Sequence, residues 1–372
     1  MADNKYFIVV LGTDPRSLSG GIALALPSYF RAICHADIEY SFIPTHRSGV
    51  WGGKWRYWLM SFPLIFKHIS AARKRNMQPL VYVHVGGGKL SFFRKSIVSF
   101  FSKIFHASVF MQLHGLETSK YLCSPLGRFF FSLMVSPSFC LCVLTPWWKS
   151  FLQENSVEKP IFVVPNPLGE SFQDSATKPL SYRTKIDGVI KLLTMTRLEP
   201  GKGVDKLLEA VPFFSENIIL YIAGTGTLLP SLQAKVTELN IEDKVVFCGW
   251  VNGAAKDQLL SEVDMFCLPT KNDSFGVGFV EAMAYGLPVI ALNCGPISDV
   301  VPNGKCGILL EHNTPRALAK TITFLALDAK LRFELGSNAK RWVLEQFAAK
   351  VVGEKIRNVV KSIADGNYKE KL

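Results

Sequence analysis

Acidic residues are missing from a long stretch of this 372-residue chain. Between Glu39 and Glu117 there is no aspartate or glutamate, while Arg47, Lys54, Arg56, Lys67, Arg73, Lys74, Arg75, Lys89, Arg94, Lys95 and Lys103 all fall inside. The net charge of +12 is therefore placed unevenly: the first half is strongly basic, the second nearly balanced. Such a half calls for an anionic partner. Other absences narrow the class. The eight cysteines (34, 123, 140, 142, 248, 267, 294 and 306) include no CxxC pair, and no histidines stand at metal-ligand spacing. This excludes a zinc site and a disulfide framework, and the cysteines read as buried thiols in a reducing compartment. No uninterrupted apolar run reaches the roughly 18 to 20 residues of a membrane helix. The amino terminus, MADNKYFIVVLG, enters a strand at once and lacks the layout of a signal peptide, so a cytoplasmic location is expected.

What is present is a globular composition, 48% apolar and 19% charged, in a chain long enough for two cores. Short apolar runs alternate with helical segments: Tyr6 to Leu11, Ile38 to Ile43, Val81 to Val85, Val109 to Leu113, Cys140 to Leu144 and Ile161 to Val164, then Val189 to Thr194, Ile218 to Ile222, Val245 to Phe247 and Met265 to Leu268. Strand–helix alternation of this kind predicts doubly wound parallel sheets. Residues 165–188, rich in proline, serine and polar groups, predict the domain boundary.

The basic stretch is also aromatic. Trp51, Trp55 and Trp58 stand among Arg56 and the run Arg73, Lys74, Arg75, and a second piece sets Phe92 and Phe93 beside Arg94 and Lys95. Rings and cations on shared helices suit an anionic bilayer surface, where rings sit at headgroup depth and each cation contributes about 1 kcal/mol. The plainer alternative is core-facing aromatics behind a solvated basic face. Nucleic acid is not expected, because no RRM, KH, zinc-finger or helix-turn-helix signature accompanies the cluster.

Loops that follow strands in a parallel sheet gather at one edge, where ligands bind. One such loop carries Gly20 and Gly21, another begins at His114, and a third, RLEPGKG, places Arg197 and Lys202 around a turn that opens a helix. Two cations and free helix amides suit an anion. AGTGT (223–227) lacks the third glycine of a dinucleotide fingerprint, and RLEPGKG fails the Walker A template. From Asp264 to Leu310 the chain reads as strand, polar loop, small-residue helix and strand, with Asp273 on the loop and Glu281 in the helix.

Taken in order, RLEPGKGVDKLLEA, LYIAGTGTLLPSL, VVFCGWV, FCLPTKNDSFGVGFVEAMAYGLPVIA and GPISDVVPNGKCGILLE resemble the carboxyl-terminal domain of the retaining GT-B glycosyltransferases of family 4, over Lys191 to Glu311. The amino half is similar more loosely, through SGGI, the LHG of 113–115 and VPNP. The resemblance implies an α/β GT-B fold: two Rossmann-like, doubly wound domains facing across a cleft, here residues 1–165 and 166–346, with a last helix in 347–372 packing back on the first. It implies an enzyme that moves a hexose or derivative from a UDP- or GDP-sugar with retained configuration.

Carried over position by position, the resemblance implies that Arg197, Lys202 and the helix beginning near Gly276 hold the diphosphate. Glu281 would hold the ribose; Asp273, Ser274, Phe275, Gly276 and Val277 the donor sugar; Phe247 and Gly249 the surroundings of the base, with Gly224 also in the nucleotide-sugar site. Gly20 and Gly21 would line the nucleotide-sugar site, and His114 would lie near the reaction centre. The family's E-x7-E pair is D-x7-E here, Asp273 being one methylene shorter. No D-x-D pair occurs, which fits a metal-independent enzyme without a cofactor. With the basic aromatic half, this implies a lipid-linked saccharide acceptor, as in bacterial polysaccharide or O-antigen assembly, reached from the inner face of the cell membrane. The alternatives are a soluble transferase acting on a small molecule and a non-catalytic membrane-bound scaffold.

Overall fold

The computed structural model describes residues 5–17, 21–86, 88–180, 188–215 and 217–366. It divides into two compact units, Met1–Gly169 with Phe347–Leu372, and Glu170–Gln346. Within the expected 165–188 linker, residues Glu170–Thr177 are helical and part of the second unit.

In the first unit β1 (Tyr6–Thr13), β2 (Glu39–His46), β3 (Gln78–Val85), β4 (Ser108–Leu113), β5 (Cys140–Val143) and β6 (Ile161–Val163) form one sheet in the order β2-β1-β3-β4-β5-β6, all pairs parallel. Its central strands are apolar on both faces because helices cover both. Ile8, Val10, Tyr82 and Phe110 pack with Leu26, Tyr29 and Ile33 of helix Gly21–His35 and with Val352, Ile356 and Val360 of helix Ala349–Ala364. Those two helices close to backbone contact at Gly353, where an added Cβ would stand 2.4 Å from the Ala32 carbonyl. Helices Arg56–Lys74, Lys89–Ile104 and Pro125–Val135 pack side by side in a row.

The second unit repeats the plan with β7 (Ile190–Met195), β8 (Ile218–Ala223), β9 (Val245–Gly249), β10 (Met265–Leu268), β11 (Val289–Leu292) and β12 (Gly307–Leu310), ordered β12-β11-β10-β7-β8-β9 and again parallel. From β7 the chain winds outward through β8 and β9, then returns to build β10 on the other side of β7. The loops after β7 and β10 therefore part at the point where strand order reverses, the usual ligand position in such sheets.

Two expectations change. Cys140, Cys142, Cys267 and Cys306 are buried, but Cys34 and Cys123 are exposed; all eight are free thiols. Phe92, Arg94 and Lys95 do not belong to an outward membrane face, since all three are buried. At 3.6 residues per turn, 92, 95, 99 and 102 fall on the inner stripe of their helix and 93, 100 and 104 on the outer one. Trp51 (94% exposed), Trp55, Phe93, Arg56, Arg73, Lys74 and Arg75 do face outward, and Trp58 is partly covered. No helix among the described residues is long and apolar enough to cross a membrane.

Candidate functional site

The loops at the carboxyl edge of the second sheet are stitched to one another. After β7, Gly201 and Gly203 take positive φ (86° and 78°), and a Cβ at Gly203 would stand 2.2 Å from the Pro269 carbonyl at the end of β10. Only glycine lets these two loops approach so closely. Lys271 N–H and the Thr270 hydroxyl then donate to the Gly201 carbonyl, at 3.0 and 3.3 Å. Glu199 gathers the loop after β8 by accepting from the Thr227 hydroxyl at 2.7 Å and its amide at 3.3 Å. Gly224 N–H donates to the Gly249 carbonyl at 2.7 Å, tying in the loop after β9. A Cβ at Gly224 would lie 1.9 Å from the Thr196 carbonyl.

On this base Lys202 and Asp273 meet across the strand-order reversal. Lys202 Nζ lies 2.9 Å from Asp273 Oδ2 and donates to the Asn272 carbonyl at 2.8 Å. The other carboxylate oxygen, Oδ1, accepts from the amides of Gly276 (2.7 Å) and Phe275 (3.3 Å). Asp273 therefore closes the turn before helix Val277–Ala284, with its negative charge at the positive end of the helix dipole. Gly276 begins that helix in the left-handed conformation (φ 80°, ψ 56°), and Val277 at its first position is exposed. Ser274 is partly buried, while the Phe275 side chain is wholly in the core, which leaves only its backbone for a ligand. Arg197 is exposed on the same β7 loop as Lys202.

One turn along the helix Glu281 pairs with Lys256, Nζ to Oε1 at 2.7 Å. Burial raises the Glu281 pKa, and the adjacent ammonium partly offsets that. The same ammonium lies 4.9 Å from the centre of the Phe172 ring. Lys256 comes from helix Gly253–Glu262, a segment with no motif, and no sequence pattern announces this pairing. Phe247 packs against the core of the unit with part of its ring exposed, and Gly249 turns the chain at φ 66°.

The remaining candidates lie in the first unit. His114 follows β4 and faces His84 of β3, with His84 Nδ1 and His114 Nε2 2.9 Å apart. Asn166 hydrogen-bonds the His114 side chain and also accepts from Tyr29 Oη at 3.2 Å. Burial and the Lys95 ammonium push the His114 pKa down to about 3, so the ring is neutral at physiological pH. His84 is buried and leaves its Nε2 without a hydrogen-bond partner among the described residues. Gly20 lies outside the described residues. Gly21 is exposed at the start of its helix, and a Cβ there would meet no atom within 4 Å, so no steric demand requires a glycine. No group of three metal-ligating side chains occurs among the described residues.

The family described as glycosyl transferases group 1 matches residues 183–342. An uncharacterised glycosyltransferase of Methanocaldococcus jannaschii is 29% identical over 53% of this chain and 52% of its own length. A GDP-mannose-dependent alpha-(1-6)-phosphatidylinositol monomannoside mannosyltransferase of Mycobacterium tuberculosis is 27% identical over 46% of this chain and 47% of its own. The chain thus spans about half the length of the curated relatives it matches. Among solved structures, Anabaena Alr3699/HepE in complex with UDP and glucose superposes with a TM-score of 0.71 at 18% identity, over 96% of this chain and all of that one. Sucrose-phosphate synthase from Thermosynechococcus elongatus gives 0.73 at 16% identity, over 97% of this chain and all of that one. Residues 183–342 therefore form a glycosyl transferases group 1 domain, and the chain has the GT-B fold of its structural neighbours.

Proposed function

We propose that this protein transfers a hexose or hexose derivative from a UDP- or GDP-sugar to a lipid-linked saccharide acceptor, with retention of configuration and without a metal ion, at the inner face of a bacterial cell membrane. The observation that carries the reading is the meeting of Lys202, Asp273 and the amino end of helix Val277–Ala284 where strand order reverses in the second sheet. A nucleoside diphosphate needs cations and free amides, and the ribose needs a carboxylate that accepts from two adjacent hydroxyls. Lys202, exposed Arg197 and the helix amides answer the first need, and Glu281 the second. The named relatives leave the base open: one is GDP-mannose-dependent, and one structural neighbour was solved with UDP.

Bond cleavage at the anomeric carbon leaves charge on the β-phosphate. Lys202 and Arg197 stabilise that charge more in the transition state than in the bound donor, which is where binding energy accelerates a reaction. Asp273 positions Lys202 through their ion pair and fixes the helix start through Oδ1. Its shorter side chain reaches the donor sugar less directly than a glutamate would, which makes position 273 a determinant of sugar choice. His114, neutral at pH 7, serves as a hydrogen-bonding group near the sugar and not as a general acid.

The membrane part of the reading is supported by the exposed rings and cations of Trp51, Trp55, Phe93, Arg56, Arg73, Lys74 and Arg75, with Phe100, Ile104, Phe129 and Leu133 exposed on the neighbouring helices. Apolar surface flanked by cations favours an anionic interface. To test the acceptor class, labelled UDP- and GDP-hexoses are incubated with the purified protein and bacterial membranes in EDTA. Label is expected in the solvent-extractable lipid fraction; recovery only in water-soluble product would overturn the lipid acceptor.

A further inference from the structure

Arg94 and Lys95 are two cations in the interior of the first unit that have no carboxylate partner among the described residues. Lys95 is 3% exposed, and among the described residues its Nζ donates only to the His84 backbone carbonyl. Arg94 is 7% exposed; it donates through Nη1 to the Lys54 carbonyl and stacks 5.6 Å from the Trp55 ring, while its Nε has no partner among the described residues. Neighbouring groups add to the imbalance. The Lys54, Arg94 and Lys95 charges all depress the pKa of His46 at the end of β2, though burial is the larger cause. Asp14, whose amide donates to the His46 carbonyl at 2.8 Å, is taken up by Arg16 at 2.9 Å and by Arg47 at 3.9 Å.

The helix that carries the two cations adds positive potential of its own. Lys89–Ile104 begins after Gly88 with no side-chain cap and no acid in its first turn. Its opening amides and the exposed Lys89 stand at the positive end of the helix dipole with no acid in that turn, an arrangement that favours a bound anion. Side chains crowd neither glycine before this helix: a Cβ at Gly86 would touch only Ile22, at 3.1 Å, and one at Gly88 only Ser91, at 4.0 Å. His84 Nε2, buried and unpartnered, lies on the same edge.

We propose that Arg94, Lys95 and the amino end of helix Lys89–Ile104 form an anion site that holds the phosphate of a phosphate-ester acceptor. This rests on the transferase reading above and specifies its acceptor: the group that receives the sugar is carried by a molecule with a phosphate or diphosphate. The phosphate supplies the counter-charge that the acid-free span lacks. Arg94 Nε and the opening amides of the helix become its donors, and Lys95 is held protonated by it. Without an anion, burial and Arg94 lower the Lys95 pKa to about 7.

The test uses the full chain, with inorganic pyrophosphate as probe and the imidazole resonances of His84 and His114 as readout, since both lie in the first unit. Pyrophosphate is expected to shift both resonances saturably, with nucleotide present or absent. Lys95→Met should weaken pyrophosphate by about tenfold to a hundredfold, as loss of a charge-assisted bond does. It should also raise the thermal midpoint of the ligand-free protein, because a buried cation has been replaced by an apolar chain of similar length. Unmoved wild-type resonances would overturn the site even if the variant failed to fold, and so would a variant that binds pyrophosphate as wild type does. Vesicles of phosphatidylcholine, with and without phosphatidylglycerol, separate the two phosphate sources. Equal vesicle binding by wild type and Lys95→Met supports the acceptor site, whereas loss of vesicle binding with pyrophosphate affinity intact would assign these cations to a bilayer headgroup and sink the proposal. Failure of nucleotide to bind the second unit would refute the transferase reading while leaving the pyrophosphate result to be read by itself.

Discussion

The two sheets present their carboxyl edges in opposite electrostatic conditions. In the second unit the buried or half-buried site cations are matched, Lys202 with Asp273 and Lys256 with Glu281. In the first, Arg94 and Lys95 are deeper and have only carbonyls and a ring among the described residues. A matched pair is set before its ligand arrives and needs only to reorient toward a phosphate. An unmatched buried cation is instead a standing cost that a ligand relieves. On the function proposed above, the donor site is preorganised and the acceptor site is completed by the acceptor.

Substitution at the matched edge should break activity first. Lys202→Ala and Glu281→Ala are each expected to lower the transferase rate by about a hundredfold or more, measured as kcat/KM with donor varied. Full activity in both would remove the site from the second unit. Next in size is Gly203→Ala, which places a methyl 2.2 Å from the Pro269 carbonyl at positive φ and should cost about 1–3 kcal/mol in denaturant unfolding. Gly21→Ala sharpens the contrast: with open space around it, the change should be neutral or stabilise by about 0.4–1 kcal/mol.

On the basic face, Arg73→Gln should weaken binding to anionic vesicles at low salt by about 1 kcal/mol, and high salt should erase the difference. The smallest expected effect is in pH. Because burial raises the Glu281 pKa, its carboxylate is lost on acidification before that of an exposed glutamate. Nucleotide affinity should therefore hold at neutral pH and start to fall above pH 4.5; a decline confined to lower pH would argue against a ribose–carboxylate contact.

Much of the fold was legible in the sequence because buried parallel strands are continuous apolar runs that end at glycine or proline. Met265 to Leu268 matches β10 residue for residue, and the other predicted strands fall within about three residues at each end. The helix faces were less legible. Phe92 and Phe93 are adjacent in sequence, but one is in the core and the other in solvent, and composition cannot separate them. The candidate site divides in the same way. Asp273 and Glu281 stand out inside a motif, whereas Lys256 lies 25 positions before Glu281 on a plain helix and meets it only through the chain's tertiary path. The His84–His114 contact likewise depends on β3 and β4 being neighbours, which two short strands do not announce.

Nucleotide binding tests the central claim most directly. Thermal or denaturant stability is measured with UDP and GDP for the wild type and for the Lys202→Ala and Glu281→Ala variants. At about 100 times its dissociation constant, at least one nucleotide should stabilise the wild type by about 2.7 kcal/mol, and this gain should be largely lost in both variants. No stabilisation by either nucleotide, or equal stabilisation of wild type and variants, would contradict a donor site built on Lys202, Asp273 and Glu281.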